Sequence, residues 1–181
     1  MSERRIGWRV AYFFAAFGVY LVDQVTKAWA VRSLRNGESV TLISGFLDLT
    51  YAENPGIAFG QLQKGGSFGR WALVGLAVAS GVFVLIYLFR TARTDDRVLG
   101  ACALLLAGIA GNLTDRARFG FVIDFILLHY KSYHWPVFNV ADMSIVFGAF
   151  LLIFDIFVTG RSEKRKKKAE VASVKSEAST N

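Results

Sequence analysis

Cysteine is almost missing from this sequence. Cys102 stands alone, so no internal disulfide can form, and its expected role is packing inside an apolar stretch. Histidine is nearly as scarce: His129 and His134 lie five apart in an aromatic loop, without the spacing of a helical metal pair, which argues against a metal site. No serine sits in a nucleophile elbow or beside a lysine partner, so hydroxyl catalysis has no visible basis, and a thiol buried in an apolar run is no better. No repeat of about 20 to 50 residues is visible, which removes solenoids and arrays. Too little chain lies outside the apolar runs to form a separate soluble domain.

Apolar sequence is what the chain has in abundance. Of 181 residues 54% are hydrophobic and the mean hydropathy is +0.40, above the usual soluble domain. A span needs about 20 mostly apolar residues to cross a hydrocarbon core of about 30 Å. Four such runs are present, at residues 8–31, 71–89, 98–113 and 140–158. The expected fold class is an all-α integral membrane protein: four transmembrane helices carrying a small extracytoplasmic β-sheet platform and a loop. Residues 1–160 are expected to form one membrane domain, and 161–181 a disordered basic tail.

Basic residues set the expected orientation, because short basic flanks stay cytoplasmic. With four spans both termini share a side, and 13 of the 21 Lys and Arg fall there, from Arg4, Arg5 and Arg9 through Arg90, Arg93 and Arg97 to the cluster between Arg161 and Lys175. Both termini are therefore expected in the cytoplasm, with segments 32–70 and 115–138 outside. The net charge of +7 lies in the tail and one short loop instead of on a folded face, so nucleic acid is not expected as a partner. The basic start, the apolar run and Ala28-Trp29-Ala30 also mimic a cleaved secretory signal. Against that, Asp23 and Lys27 lie four apart on one helical face, where they can pair and anchor a retained span.

The chemistry-bearing residues gather at the outer side. Leu47, Leu49 and Tyr51 alternate with Asp48 and Thr50 as in a half-buried strand, and lead into the turn Asn54-Pro55-Gly56 and the apolar Ile57-Ala58-Phe59-Gly60. This region reads either as a plain hairpin or as a platform whose strand edges hold an extended peptide over a membrane-level groove. The third run is rich in small residues, and Gly100, Leu104 and Gly108 lead by fours to Asn112 and Arg116. Such polar groups need a partner, water or a cavity, so they mark a site or tie helices together.

Asp124 sits in the apolar run from Phe121 to Ile126, and Asp142 at the start of the fourth span. An ionised carboxylate among Phe and Ile is costly, so Asp124 is expected to be neutral or to share a proton, unless Arg118 or Lys131 pairs with it. Asn139 reads as the N-cap of the fourth helix, which puts Asp142 at its third position, where free N–H groups favour an anion; plain capping is the alternative role. One ionised and one protonated carboxyl is the arrangement that peptide hydrolysis by a carboxylate pair requires. A proton relay in a small transporter, or a structural assembly factor, would use similar residues, although the two halves show no inverted repeat.

Taken in order along the chain, Asp23 with Lys27, Asn54 to Gly60, Gly111-Asn112-Leu113-Thr114-Asp115-Arg116, Gly120 to Phe125, and Phe138-Asn139-Val140-Ala141-Asp142 resemble the boxes of the lipoprotein signal peptidases, or signal peptidase II. Only the tail lies outside the likeness. The resemblance implies an aspartyl endopeptidase of the bacterial inner membrane that cleaves exported prolipoproteins just before a diacylglyceryl-modified cysteine. It implies that Asp124 and Asp142 are the catalytic pair, and that Asn54, Gly56, Asn112, Arg116, Asn139 and Ala141 shape or bind the substrate pocket. Asp23 and Lys27 would be structural support. Neither cofactor nor metal is implied; the partners are lipid-modified prolipoproteins and membrane lipid, and the chain is expected to act as a monomer, its site at the outer membrane interface. Three places depart from the family pattern: Ala107-Gly108-Ile109-Ala110, Pro55 where Thr is common, and Met143 where Ser is common.

Overall fold

The computed structural model describes residues 3–56, 67–90 and 96–158. The expectations for Ile57 to Gly60 and for the tail from residue 161 lie outside the described residues. Among the described residues four helices and four strands follow in the order α1 Glu3–Leu34, β1 Val40–Ile43, β2 Leu47–Asn54, α2 Ser67–Arg90, α3 Asp96–Phe119, β3 Val122–Tyr130, β4 Tyr133–His134 and α4 Val140–Val158. Among the described residues three helices are long and apolar enough to cross a membrane: Gly69–Arg90 within α2, all of α3, and α4. α1 is not one of them, and its 32 residues carry Asp23, Gln24 and Lys27. The count of four spans read from the sequence is thus matched in three; α1 is long enough but polar in its second half.

Helix α3 outruns its expected end at residue 113, continuing to Phe119. It stops where Gly120 takes a φ of +88° and donates its N–H to the carbonyl of Arg116 at 3.1 Å, a left-handed C-terminal cap. Asp115 and Arg116 therefore belong to the last turns of a helix and not to an external loop. Small residues let α3 sit against its neighbours. A Cβ on Gly108 would lie 2.3 Å from the carbonyl oxygen of Ala141, and one on Gly111 would lie 2.5 Å from Oδ2 of Asp23, so both backbones close to contact only because these side chains are missing.

The platform is an antiparallel sheet in the order β1-β2-β3-β4. Leu49 and Tyr51, two of the alternating residues, pack with Ile126 and Val140 around Ala30, Leu34 and Phe125 at the end of α1. Between the pairs Leu49 with Ile126 and Ala52 with Asp124, Thr50 and Tyr51 of β2 oppose Phe125 of β3 alone, a bulge that bends the sheet beside Asp124. The N–H groups of Phe125 and Ile126 turn instead to the carbonyl of Phe138, at 3.0 and 2.8 Å, and the N–H of Phe138 returns to Ile126 at 3.0 Å. The segment before α4 is thereby fastened along β3. Farther down, Cys102 is fully buried among Val84, Leu88, Val98, Leu99 and Leu105, as packing requires.

Candidate active site

Fastening Phe138 to β3 places Asn139 between the two acids. Asn139 is the N-cap of α4: its Oδ1 accepts the N–H of Asp142 at 2.9 Å, and Oδ2 of Asp142 accepts the N–H of Asn139 at 3.2 Å, a reciprocal capping box. The amide nitrogen of the same side chain donates to Oδ1 of Asp124 at 2.6 Å. One residue thus bonds both carboxyl groups. The other oxygen of Asp124 accepts from Nδ2 of Asn54 at 2.9 Å, and Oδ1 of Asp142 accepts from Nδ2 of Asn112 at 2.7 Å. The partners of Asp124 are amides, and among the described residues no ion pair to Arg118 or Lys131 forms.

Asp124 is 1% exposed. Its carboxyl is lifted from 3.8 to about 6, first by burial and then by the nearby charge of Asp142, against the pull of the Asn54 and Asn139 amides and of Lys27. This is the direction expected of a group that keeps a proton near neutrality. Asp142 differs in position more than in type, since it is only half-buried and lines an open groove.

That groove, about 680 Å³ in volume, runs between α2, α3 and α4. Its walls are apolar, formed by residues such as Leu76, Phe83, Val84 and Ile109, while Asn112, Arg116 and Asp142 supply polar groups. Nε of Arg116 is buried and bonds no other group among the described residues. Gly56 closes the turn after β2: its φ is +90°, its N–H donates to Oδ1 of Asn54 at 2.9 Å, and a Cβ there would meet Leu73 of α2 at 2.8 Å. Only glycine suits this position without strain. Asn54 is thus fixed at one end by Gly56 and at the other by Asp124.

Behind the acids lies a second, fully buried layer. Lys27 contacts Oδ2 of Asp23 at 3.0 Å and Oδ2 of Asp115 at 2.9 Å, and donates to Oδ1 of Asn112 at 3.1 Å. Asp115 also accepts the N–H of Ile123 at 3.1 Å, and Asp23 accepts the N–H of Ala141 at 2.8 Å. The expected pairing of Asp23 with Lys27 is present, and it is also the hub of a network joining α1, α3, β3 and the first turn of α4. Ala141 enters this network through its backbone and is 0% exposed. Cleavage after Ala30 would remove Asp23 and Lys27 from these partners.

Three further residues take part whose roles the sequence does not signal. Asp115 was placed in a loop by the early helix end, although its spacing of three from Asn112 puts it on the same helical face. Gln24 reaches Asp23 at 3.1 Å and the carbonyl of Gly111 at 3.4 Å, and nothing in its sequence neighbourhood signals that. Arg70 donates from Nε to the carbonyl of Arg116 at 3.0 Å and from Nη2 to that of Ala117, tying the start of α2 to the end of α3.

A sequence profile described as signal peptidase (SPase) II matches residues 15–158. The lipoprotein signal peptidases of Cellvibrio japonicus and Pseudoalteromonas translucida are 40% and 43% identical over 147 residues, covering 81% of this chain and 86% and 87% of theirs. That of Yersinia enterocolitica is 36% identical over 170 residues, 94% of this chain and 100% of its own. A solved structure described as a bacterial membrane enzyme, at 1.9 Å resolution, is similar with a TM-score of 0.73 and 30% identity, covering 83% of this chain and 93% of that one.

Proposed function

Because the chain belongs to the signal peptidase II family of lipoprotein-processing proteases, we propose that it is an aspartyl endopeptidase of the bacterial inner membrane that cuts diacylglyceryl-modified prolipoproteins before the lipidated cysteine. Asp124 and Asp142 are its catalytic pair. The observation that carries this reading is the amide of Asn139, bonded to Asp124 through its nitrogen and to the N–H of Asp142 through its oxygen.

In the proposed reaction Asp142, ionised, takes a proton from water as the water oxygen bonds to the scissile carbonyl carbon. Asp124 gives its proton to the carbonyl oxygen. On collapse, the C–N bond breaks as Asp142 returns its proton to the departing nitrogen, and a hydroxyl of the diol returns one to Asp124. Products are a signal peptide ending in a carboxylic acid and the free amine of the lipidated cysteine. Asn54 and Asn139 hold Asp124, Asn112 holds Asp142, and Arg116 offers an uncommitted donor to substrate carbonyls in the groove. The apolar walls suit acyl chains, which explains why a proteolytic site would sit at membrane depth.

The proposal includes the topology: four spans with α1 as the first, both termini cytoplasmic, the sheet and the site at the outer interface, and residues 161–181 as a separate basic tail. The direct test uses purified protein in detergent and a diacylglyceryl-modified precursor, with signal-peptide release followed by gel shift. Asp142→Asn and Asp124→Asn should each cut at least about 10²-fold more slowly, the usual contribution of a positioned acid or base. Normal cleavage by either variant overturns the assignment.

A further inference from the structure

A second cavity, about 190 Å³, opens between α1, α3 and the start of β3, and shares no lining residue with the substrate groove. Gln24, Lys27 and Asp115 line it, together with Arg32 and Arg118. Both arginines are exposed, and among the described residues neither pairs with a carboxylate. The Arg118 guanidinium is steadied over the Phe119 ring at 4.9 Å. Asp115 is turned away from them in part: its Oδ2 meets Lys27 at 2.9 Å and the Ile123 N–H at 3.1 Å, and its Oδ1 lies 3.5 Å from the Gln24 amide. Counting Asp23, three cations meet two carboxylates here, which leaves one net positive charge, and the two guanidinium groups line a concave space.

The size of the cavity narrows the ligand. At ~30 Å³ per water it holds about six waters, enough for a small anion and too little for a drug-sized molecule. Guanidinium groups match the oxygens of a phosphate in pairs, better than they match a halide. Beside the cavity, Val25 is 66% exposed, Trp29 39% and Phe119 43%, an apolar flank in which Trp29 is of the type enriched at the lipid head-group level. A basic pocket between helices at that level is suited to a lipid head group.

We propose that this cleft binds a phosphate group through Arg32 and Arg118, either on a phospholipid head or free in solution. The site is distinct from the proteolytic one, and its test reads binding instead of cleavage. Full-length protein, stripped of lipid in detergent, is titrated with phosphatidylglycerol, phosphatidylcholine or inorganic phosphate while thermal unfolding is followed; native mass spectrometry counts retained lipid. Phosphatidylglycerol should raise Tm and be retained at one molecule per chain, more strongly than phosphatidylcholine. In the Arg32→Gln, Arg118→Gln double variant the half-saturating concentration should rise at least tenfold, while the lipid-free Tm stays near that of the parent. If inorganic phosphate alone gives the full arginine-dependent shift, the ligand is the free ion; if only the lipid does, it is the head group. A parent protein that retains both lipids equally and ignores phosphate overturns the proposal, as does a folded double variant that binds as the parent does.

Discussion

At the scale of single residues, the proton on Asp124 is the variable that pH controls. Burial lifts its carboxyl to about 6, so it is protonated below that point and ionised above it. With Asp142 as the ionised partner, the singly protonated pair is lost as pH rises through this region, and kcat/KM should bend downward there. Bound substrate excludes water and favours the neutral form further, so the corresponding limb of kcat should lie at higher pH than that of kcat/KM. The pair titrates together, and the measured values belong to it as a unit. A protonated-carboxyl infrared band that disappears near pH 6, and is missing in Asp124→Asn, checks the assignment directly. For stability the sign is the same: a raised pKa favours the fold at low pH, and that contribution fades as pH climbs through about 6. Asn139 can be dissected by size. Asn139→Ser keeps a capping oxygen but cannot reach Asp124, so the helix start should lose only a few tenths of a kcal/mol, while cleavage should fall at least about tenfold.

Among elements, the close approach of α3 to α4 and to α1 carries the site. Gly108→Ala gains up to about 1 kcal/mol in helix propensity. The added carbon, however, would sit 2.3 Å from the Ala141 carbonyl, where no relaxation is possible without moving α4. Overpacking of this kind costs about 1–3 kcal/mol, so the variant should be less stable on thermal unfolding in detergent and slower in cleavage. Lys27→Met is expected to cost more, about 3–5 kcal/mol, because it leaves Asp23 and Asp115 buried without their cation. Much of this architecture is legible in the sequence. The alternation from Leu47 to Tyr51 finds a strand, Asn139 announces the start of α4, and the runs around residues 71–89, 98–113 and 140–158 find three helices. What stays hidden is the pairing of β2 with β3, because Val122 to Phe125 is buried on both faces and its apolar run has no period to read. The end of α3 is misplaced for a related reason: the apolar run stops at Leu113, and although Arg116 continues the helical spacing of Asn112, only the buried partners of the Asp115 carboxylate, Lys27 and Ile123, explain why polar residues stay in the helix.

For the whole molecule, sidedness is the proposal that separates this reading from its rivals. Cys102 is buried, so a Cys102→Ser background leaves a chain suited to labelling with single introduced thiols. With the sheet outside, Lys131→Cys in intact spheroplasts should react with a membrane-impermeant maleimide, whereas Ser162→Cys in the tail should react only after lysis. Reversal of that pattern would place the acids on the wrong side for exported substrates. The hydrogen bond that the Ala141 N–H donates to Asp23 has a further consequence, since it joins positions 118 apart in the chain. A translation product that stops short of the last helix leaves the Asp23 carboxylate short of that one donor, with Lys27 still beside it. It also lacks Asn139 and Asp142, so the proposed carboxyl pair stays incomplete until the last segment of the chain has been made and docked.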